Sequence, residues 1–413
     1  MATTTVTASV LFQIGTGRRR RVMTPRVPVS HRLRSTTIMS SSESYDRANE
    51  VKRFDESKVG VKGLVDSGIT TIPPFFVHPP ETLSDLKPQT RPGSGTEIIP
   101  VIDLSGADLG SNRRSDVVDE MRRAASTFGF FQIVNHGVPL EVLDRTMASM
   151  KGFHEQPTEV KARVYRRDIG TGVSYMSNVD LYHSKAASWR DTIQIRLGPK
   201  LADLDEIPEI CRNEVIEWDR EIKQLGERLM GLLCEGLGVE NGRLKDMTCL
   251  EGRVVVAHYY PCCPQPDLTV GLAYHTDPGV LTVVQQDHVG GLQVKYGGGW
   301  LDVKPIPGAL VINIGDLLQI ISNEEYKSAE HRVLANSYHE PRVSMAVFCS
   351  PGNRDDVYGP MPELISPEKP AIYRQFTLTD FMTRFFKKEL DCKSLTNYYK
   401  ITHRKNGTNN DNM

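Results

Sequence analysis

The sequence predicts a mainly β protein with flanking helices, its later part an antiparallel sandwich or barrel of the jelly-roll type. Three observations predict it. From Gly252 onward the runs "RVVVAHYYP", "GVLTVVQQD", "GGLQVKYG", "GWLDVKPI", "ALVINIGD", "HRVLANS" and "PRVSMAVFCS" recur at near-regular spacing between Gly, Pro and Asp. Ahead of them, apolar residues recur at helical rather than alternating spacing. Apolar runs such as Ala309–Ile314 are strand-sized, far short of a membrane-spanning helix.

Each element can be justified in chain order. Residues 1–42 hold seven arginines, fourteen Ser or Thr and no acidic residue. That is the composition of an organelle transit peptide, and the segment is expected to be disordered. The cytoplasm is the expected location, or the chloroplast if this leader is used; Met39 could start a leaderless product. "KVGVKGLVDSGITTIPPFFVHPPE" carries Pro73, Pro74, Pro79 and Pro80 and predicts a non-helical arm laid along another surface. A linker follows over Leu86–Glu97, then a strand over Ile98–Ser105. "SDVVDEMRRAASTFG" predicts a helix capped by Ser115 and ending at Gly129. "FFQIVNHGVP" reads as strand and turn, and Pro139–Phe153 as a helix. Asn213–Leu237 is the longest helical signal, with Ile216, Leu225, Leu229 and Leu232–Leu233 as its apolar stripe. After the strands, "TLTDFMTRFFKKEL" predicts a helix capped by Thr377 or Thr379, and a polar tail closes the chain.

Composition narrows the function. The 413 residues are 39% hydrophobic and 24% charged, ordinary values for a soluble globular protein of one large domain or two. Outside the leader, 43 basic face 51 acidic side chains, which argues against nucleic acid as a partner. Seven cysteines without a CxxC pair suggest a reducing compartment rather than a disulfide framework.

"GLAYHTDPGVLT" sets His275 and Asp277 two apart in an extended segment, so both donors share a face. A polar surface strand is the alternative. A third donor, His331, stands 54 residues beyond Asp277 among strand formers. Two imidazoles and one carboxylate suit non-haem Fe(II) with open positions better than a closed structural zinc. Eleven residues past His331, Arg342 and Ser344 again share a face. Buried in an apolar strand, a guanidinium needs a carboxylate or phosphate partner, and its fork matches a carboxylate bidentately; an edge-strand arginine facing water is the alternative. The Gly290–Gly291 and Gly297–Gly299 runs read as hairpin turns, and His136 as part of a turn.

HxD, a distant His and RxS in one β region resemble the plant 2-oxoglutarate- and Fe(II)-dependent dioxygenases, and within them the group named as aminocyclopropanecarboxylate oxidase homologues. The resemblance spans about residues 50–400 and includes "IPVIDL", "FGFFQIVNHGVP", "HYYPCCPQPDLTVGLAYHTDPG" and "GALVINIGDLLQIISNEEYKSAEHRVLAN". It implies a double-stranded β-helix (jelly-roll) over 251–360 that binds Fe(II) and 2-oxoglutarate, supported by an arm and helical region over 43–250 and followed by C-terminal helices and a disordered tail over 361–413.

It also implies roles. His275, Asp277 and His331 would hold iron; Arg342 and Ser344 would clamp the distal carboxylate of 2-oxoglutarate, reached also by Tyr260. "HYYP" departs from the family's "NYYP", so His258 is a cosubstrate or substrate contact of unsettled role. Phe348 stands where a substrate-packing aromatic often does, or is simply core. The charged pair in "SWRDTI", Arg190 and Asp191, is read as structural. No catalytic side chain beyond the iron ligands is expected. The implied enzyme consumes O2, with ascorbate as an optional activator, and hydroxylates a small plant metabolite as a monomer off the membrane. Ascorbate-dependent aminocyclopropanecarboxylate oxidase chemistry and a metal-free small-acid binding module are the alternatives.

Overall fold

The computed structural model describes residues 45–86, 98–108, 110–170, 172–387 and 394–401. The leader 1–42, the linker over 87–97 and the polar tail from 402 lie outside them. Residues 46–413 form one compact unit.

Among the described residues, twelve strands build its two main sheets, beside a small ribbon of Val357–Tyr358 and Phe376–Thr377: β1 (Val101–Asp103), β2 (Phe130–Val134), β3 (Val173–Met176), β4 (Asp191–Arg196), β5 (Gly252–Tyr260), β6 (Val270–His275), β7 (Leu281–Gln286), β8 (Leu292–Tyr296), β9 (Gly299–Asp302), β10 (Leu310–Ile314), β11 (His331–Leu334) and β12 (Arg342–Ser350). The larger sheet runs β1-β2-β10-β7-β12-β5-β4-β3 and the smaller β6-β11-β8-β9. From β5 to β12 the chain passes back and forth between the two sheets, which gives the predicted jelly-roll. Every predicted run from Gly252 on became a strand. All pairings are antiparallel except β1 with β2. Four strands of the larger sheet precede residue 251, and β3 and β4 were not read from the sequence.

Alternation divides the larger sheet into two faces. Ile133, Ile312, Val283, Val347, Ala257 and Ile193 pack outward into a core with the helices Arg114–Thr127, Leu140–Glu155 and Glu209–Leu237. The opposite face looks at the smaller sheet. One end of that interior is filled by Phe130, Tyr260, Leu272, Leu292, Val294, Val311 and Val333 from both sheets. The chemistry-bearing residues collect in the remainder, on the face that also carries Val256, Ala346 and Phe348.

Two helical readings are corrected, and a third is decided between its alternatives. The helix Arg114–Thr127 begins one residue before Ser115, and its cap position, Arg113, makes no side-chain cap bond. The longest helix begins at Glu209, just after Pro208, and its buried stripe runs through Val215, Trp218, Ile222, Leu225 and Leu229. Ile216 is exposed, because 3.6 residues per turn carries it past the stripe. Thr377 is the cap of the helix Leu378–Lys387: its hydroxyl accepts from Asp380 N–H (3.2 Å).

The arm is a further correction, since Gly60–Asp66 within it is helical, as is Arg47–Ser57 ahead of it. The Gly60–Asp66 helix is too short to stand alone. Its first amides, Val61 N–H and Lys62 N–H, donate to the Asp191 carboxylate of β4 (2.8 and 2.9 Å). Gly60 sits at φ +70°, and a Cβ there would lie 2.6 Å from Asp191 Oδ1. Beyond this helix, Phe75 and Phe76 pack with Val51, Phe54, Leu181 and Trp189. Asp191→Ala is expected to cost about 3 kcal/mol, as the helix loses both capping bonds and the buried Ser177 hydroxyl loses its acceptor. Urea titration checks this, and an unchanged midpoint would contradict it.

Candidate active site

Strand register brings the predicted donors together. His331 of β11 is the direct cross-strand partner of His275 in β6. Their rings lie 4.2 Å apart between centroids. Asp277 stands two residues past the end of β6, so it is the turn after the strand, rather than strand alternation, that aims its carboxylate. Main-chain and side-chain bonds fix that turn. Asp277 C=O accepts from Asp316 N–H (2.7 Å), and Thr276 Oγ1 donates to Asp316 Oδ2 (2.9 Å). Gly315 allows the approach: a Cβ there would meet Gly279 O at 2.1 Å.

The three side chains are buried, and their ligating atoms all lie within 4.8 Å of one another. His275 Nε2 and His331 Nε2 stand 3.4 and 3.6 Å from Asp277 Oδ1. Each imidazole places Nδ1 against a main-chain carbonyl, Ala273 O at 2.9 Å and Ala329 O at 3.1 Å. With Nδ1–H donating outward, each Nε2 lone pair faces inward. Asp277 Oδ2 accepts from Thr282 Oγ1 (2.6 Å) and Asn313 Nδ2 (2.7 Å), which leaves Oδ1 free for the centre.

Three electron-pair donors therefore converge with their other atoms held from behind. Ligands about 2.1 Å from one ion and at right angles would stand about 3.0 Å apart, within about half an ångström of the two His–Asp distances, so a small inward movement of these side chains seats a divalent metal. Among the described residues this is the one cluster of three such donors. Electrostatics agree. Burial pushes His331 down to about 4, helped by His275 beside it, so the ring is neutral. Burial alone would raise the Asp277 carboxyl, yet the two imidazoles and the Thr282 hydroxyl hold it well below the usual carboxylate range.

On β12, Arg342 pairs with Tyr260 of β5, while Ser344 sits between His258 of β5 and Gln286 of β7. Arg342 is 2% exposed. Its guanidinium lies 4.9 Å from the Tyr260 ring centroid. Nη1 donates to Ser344 Oγ (2.9 Å), Nη2 to Gln286 Oε1 (3.2 Å) and Nε to Gly290 O. Those acceptors are neutral and use three of five N–H groups. No carboxylate among the described residues is within ion-pair distance of Arg342. Asp287, close in sequence to Gln286, spends its oxygens on Val343 and Val289 N–H.

The remaining candidates find places on the same face. His258 is buried beside Arg190 Nη1 (3.1 and 3.2 Å to its two ring nitrogens) and Thr192 Oγ1 (2.9 Å). Burial, with the Arg190 and Arg342 cations, drives it far below the usual imidazole range, so it is neutral. Phe348 is half-buried and lies across from Thr282, so it faces the interior rather than the helical core. The pair in "SWRDTI" divides: Asp191 caps the arm helix and is structural, while Arg190 reaches His258. His136 belongs to its turn, accepting from Val138 N–H at Nδ1 (3.1 Å). Thr282, Asn313, Gln286 and Arg190 were missed as site residues. Asn313 alone carried a signal, as an amide inside the apolar run "ALVINI".

Two imidazoles and a carboxylate, with a buried guanidinium on the facing sheet, form a donor set with the chemistry to hold a divalent metal and an acidic ligand. Residues 251–351 match the 2OG-Fe(II) oxygenase superfamily, and residues 99–213 match the non-haem dioxygenase in morphine synthesis N-terminal family. The chain is 50% identical over 361 residues to 1-aminocyclopropane-1-carboxylate oxidase homolog 4 of Arabidopsis thaliana, covering 87% of this chain and 100% of that protein. It is 45% identical over 364 residues to a homolog from Solanum lycopersicum, covering 87% and 98%. Among solved structures, JOX2 in complex with 2OG, Fe and JA aligns with a TM-score of 0.72 at 30% identity, covering 83% of this chain and 98% of that one. The rice dioxygenase for auxin oxidation aligns at 0.63 and 26%, covering 73% and 100%. The chain belongs to the 2OG-Fe(II) oxygenase superfamily, among the plant 1-aminocyclopropane-1-carboxylate oxidase homologues. It is accordingly an Fe(II)- and 2-oxoglutarate-dependent dioxygenase. Among the described residues no helix is long and apolar enough to cross a membrane.

Proposed function

We propose that this dioxygenase hydroxylates a small specialised plant metabolite, working as a cytoplasmic monomer without nucleic acid, with residues 1–42 serving as a chloroplast leader where they are used. His275 Nε2, Asp277 Oδ1 and His331 Nε2 hold Fe(II). Arg342 and Ser344 receive the distal carboxylate of 2-oxoglutarate together with Tyr260, whose ring lies against the guanidinium. When bound, iron and 2-oxoglutarate supply the oxidising chemistry: one O2 is consumed, 2-oxoglutarate is split to succinate and CO2, and one oxygen atom enters a substrate C–H bond. The protein orients both groups and shuts water from the apolar end of the barrel. The carrying observation is the inward-facing donor trio whose every other polar atom is engaged from outside.

The test is stoichiometric. Purified full-length protein should release succinate only with Fe(II), 2-oxoglutarate and O2, faster when a plant metabolite extract is added, with one extract component gaining an oxygen atom by mass spectrometry. His275→Ala should lower succinate release by more than about 100-fold, the upper end of what losing an outer-shell partner costs. Normal turnover in that variant would refute the iron assignment. Turnover on ascorbate without 2-oxoglutarate would instead indicate aminocyclopropanecarboxylate oxidase chemistry.

A further inference from the structure

Arg190 lies where the chain crosses from the rim of the smaller sheet into the larger one. The crossing is pinned on both sides. Ala187 N–H donates to Phe75 O of the arm (2.9 Å) and Trp189 N–H to Val270 O of β6 (2.8 Å). Ser188 Oγ accepts from Ala273 N–H (3.3 Å). The Trp189 ring meets Phe76 edge-on, 4.9 Å between centroids. Asp191 turns to the arm helix, so it does not neutralise its neighbour. The Arg190 guanidinium enters the interior beside His258, whose strand partner is Ser344.

Arg190 is 6% exposed, its Nε has no hydrogen-bond partner, and no carboxylate among the described residues forms an ion pair with it. A guanidinium withdrawn from water without a counter-charge is strongly disfavoured unless a ligand supplies one. Arg342 has the same property, and 2-oxoglutarate answers it. Both carboxyl groups of that cosubstrate are then engaged, one at the metal and one at Arg342, which leaves Arg190 facing a third anionic group. Val256, Ala346 and Phe348 line the same interior face with apolar surface.

We infer that Arg190 anchors the organic substrate, and that this substrate is a carboxylic acid with an apolar body, its carboxylate paired to the Arg190 fork. The inference rests on the dioxygenase reading of the same barrel. Arg190 is a specificity-determining residue here; it holds the substrate and takes no part in the oxidation itself.

The experiment uses full-length, iron-loaded enzyme and a panel of aryl, alicyclic and alkyl monocarboxylic acids, each beside its methyl ester. Stimulation of succinate release over the substrate-free background is the readout. At least one acid should act at a concentration about tenfold or more below its ester, the discrimination expected of one lost charge-assisted contact. Arg190→Gln should erase that preference by raising the KM for the acid and not that for 2-oxoglutarate, Arg342→Met should do the reverse, and Arg190→Lys should keep part of the preference. Acids and esters acting alike throughout the panel, a preference that survives Arg190→Gln, or a raised 2-oxoglutarate KM in that variant would overturn the inference. Should Arg190→Gln fail to fold, the wild-type panel and Arg190→Lys still decide it. A wild-type enzyme releasing no succinate at all would instead sink the dioxygenase reading, a distinguishable result.

Discussion

Asp277→Asn should give a folded protein that no longer retains iron. Asp277 Oδ2 accepts from Thr282 and Asn313, so the amide oxygen of the variant must occupy that side. Its NH2 group then replaces Oδ1 and points at two Nε2 lone pairs 3.4 and 3.6 Å away. Those imidazoles become hydrogen-bond acceptors, the buried polar atoms stay satisfied, and the melting temperature should stay near the wild-type value. The metal loses its only anionic protein ligand and meets an N–H donor instead. Iron affinity should fall by more than about 100-fold, beyond the range for outer-shell changes, and succinate release with it. Iron content after anaerobic loading and a thermal melt on the same sample check both halves. Full iron occupancy in the variant would remove Asp277 from the centre.

That result depends on a geometry only partly legible in sequence. Arg342 and Ser344 could be singled out because side-chain alternation is a local rule, and His275, Asp277 and His331 because donor residue types stood among short β-branched runs that mark strands whatever they pair with. Register is not local. Nothing in the sequence says that His275 faces His331 across β6 and β11, and Asp277 reaches the centre from a turn held by Gly315 and Asp316, forty residues further on. The arm shows the same limit more sharply. Gly60–Asp66 looks like a poor helix because its cap is a carboxylate 130 residues away. β3, a four-residue run between Gly172 and Ser177, gains its identity from pairing with β4 rather than from its own residues. Arg190 and Asp191, read as one structural pair, divide at the start of β4: Asp191 binds the arm helix and Arg190 lies beside His258.

Arg342→Met should separate the two things a buried arginine can do. If Arg342 were structural, its removal would destabilise the sheet. Its bonds, however, go to the neutral acceptors Ser344, Gln286 and Gly290, and among the described residues no carboxylate forms an ion pair with it, Asp287 acting only from a distance. Burying such a cation opposes folding, so methionine, which keeps the stem's packing on Tyr260, should leave the melting temperature unchanged or higher. Function should move the other way. Two N–H groups are left over for a ligand, and each charge-assisted bond to a carboxylate contributes roughly 1.5–3 kcal/mol. Losing both should raise the KM for 2-oxoglutarate by at least about 100-fold at 1.4 kcal/mol per decade. Lysine at the same position keeps the charge but neither the fork nor the stacking on Tyr260, and should fall between the two. Thermal melts beside 2-oxoglutarate titrations of succinate release decide the matter. A destabilised variant with an unaltered KM would make Arg342 a structural residue and leave the acidic cosubstrate without its anchor.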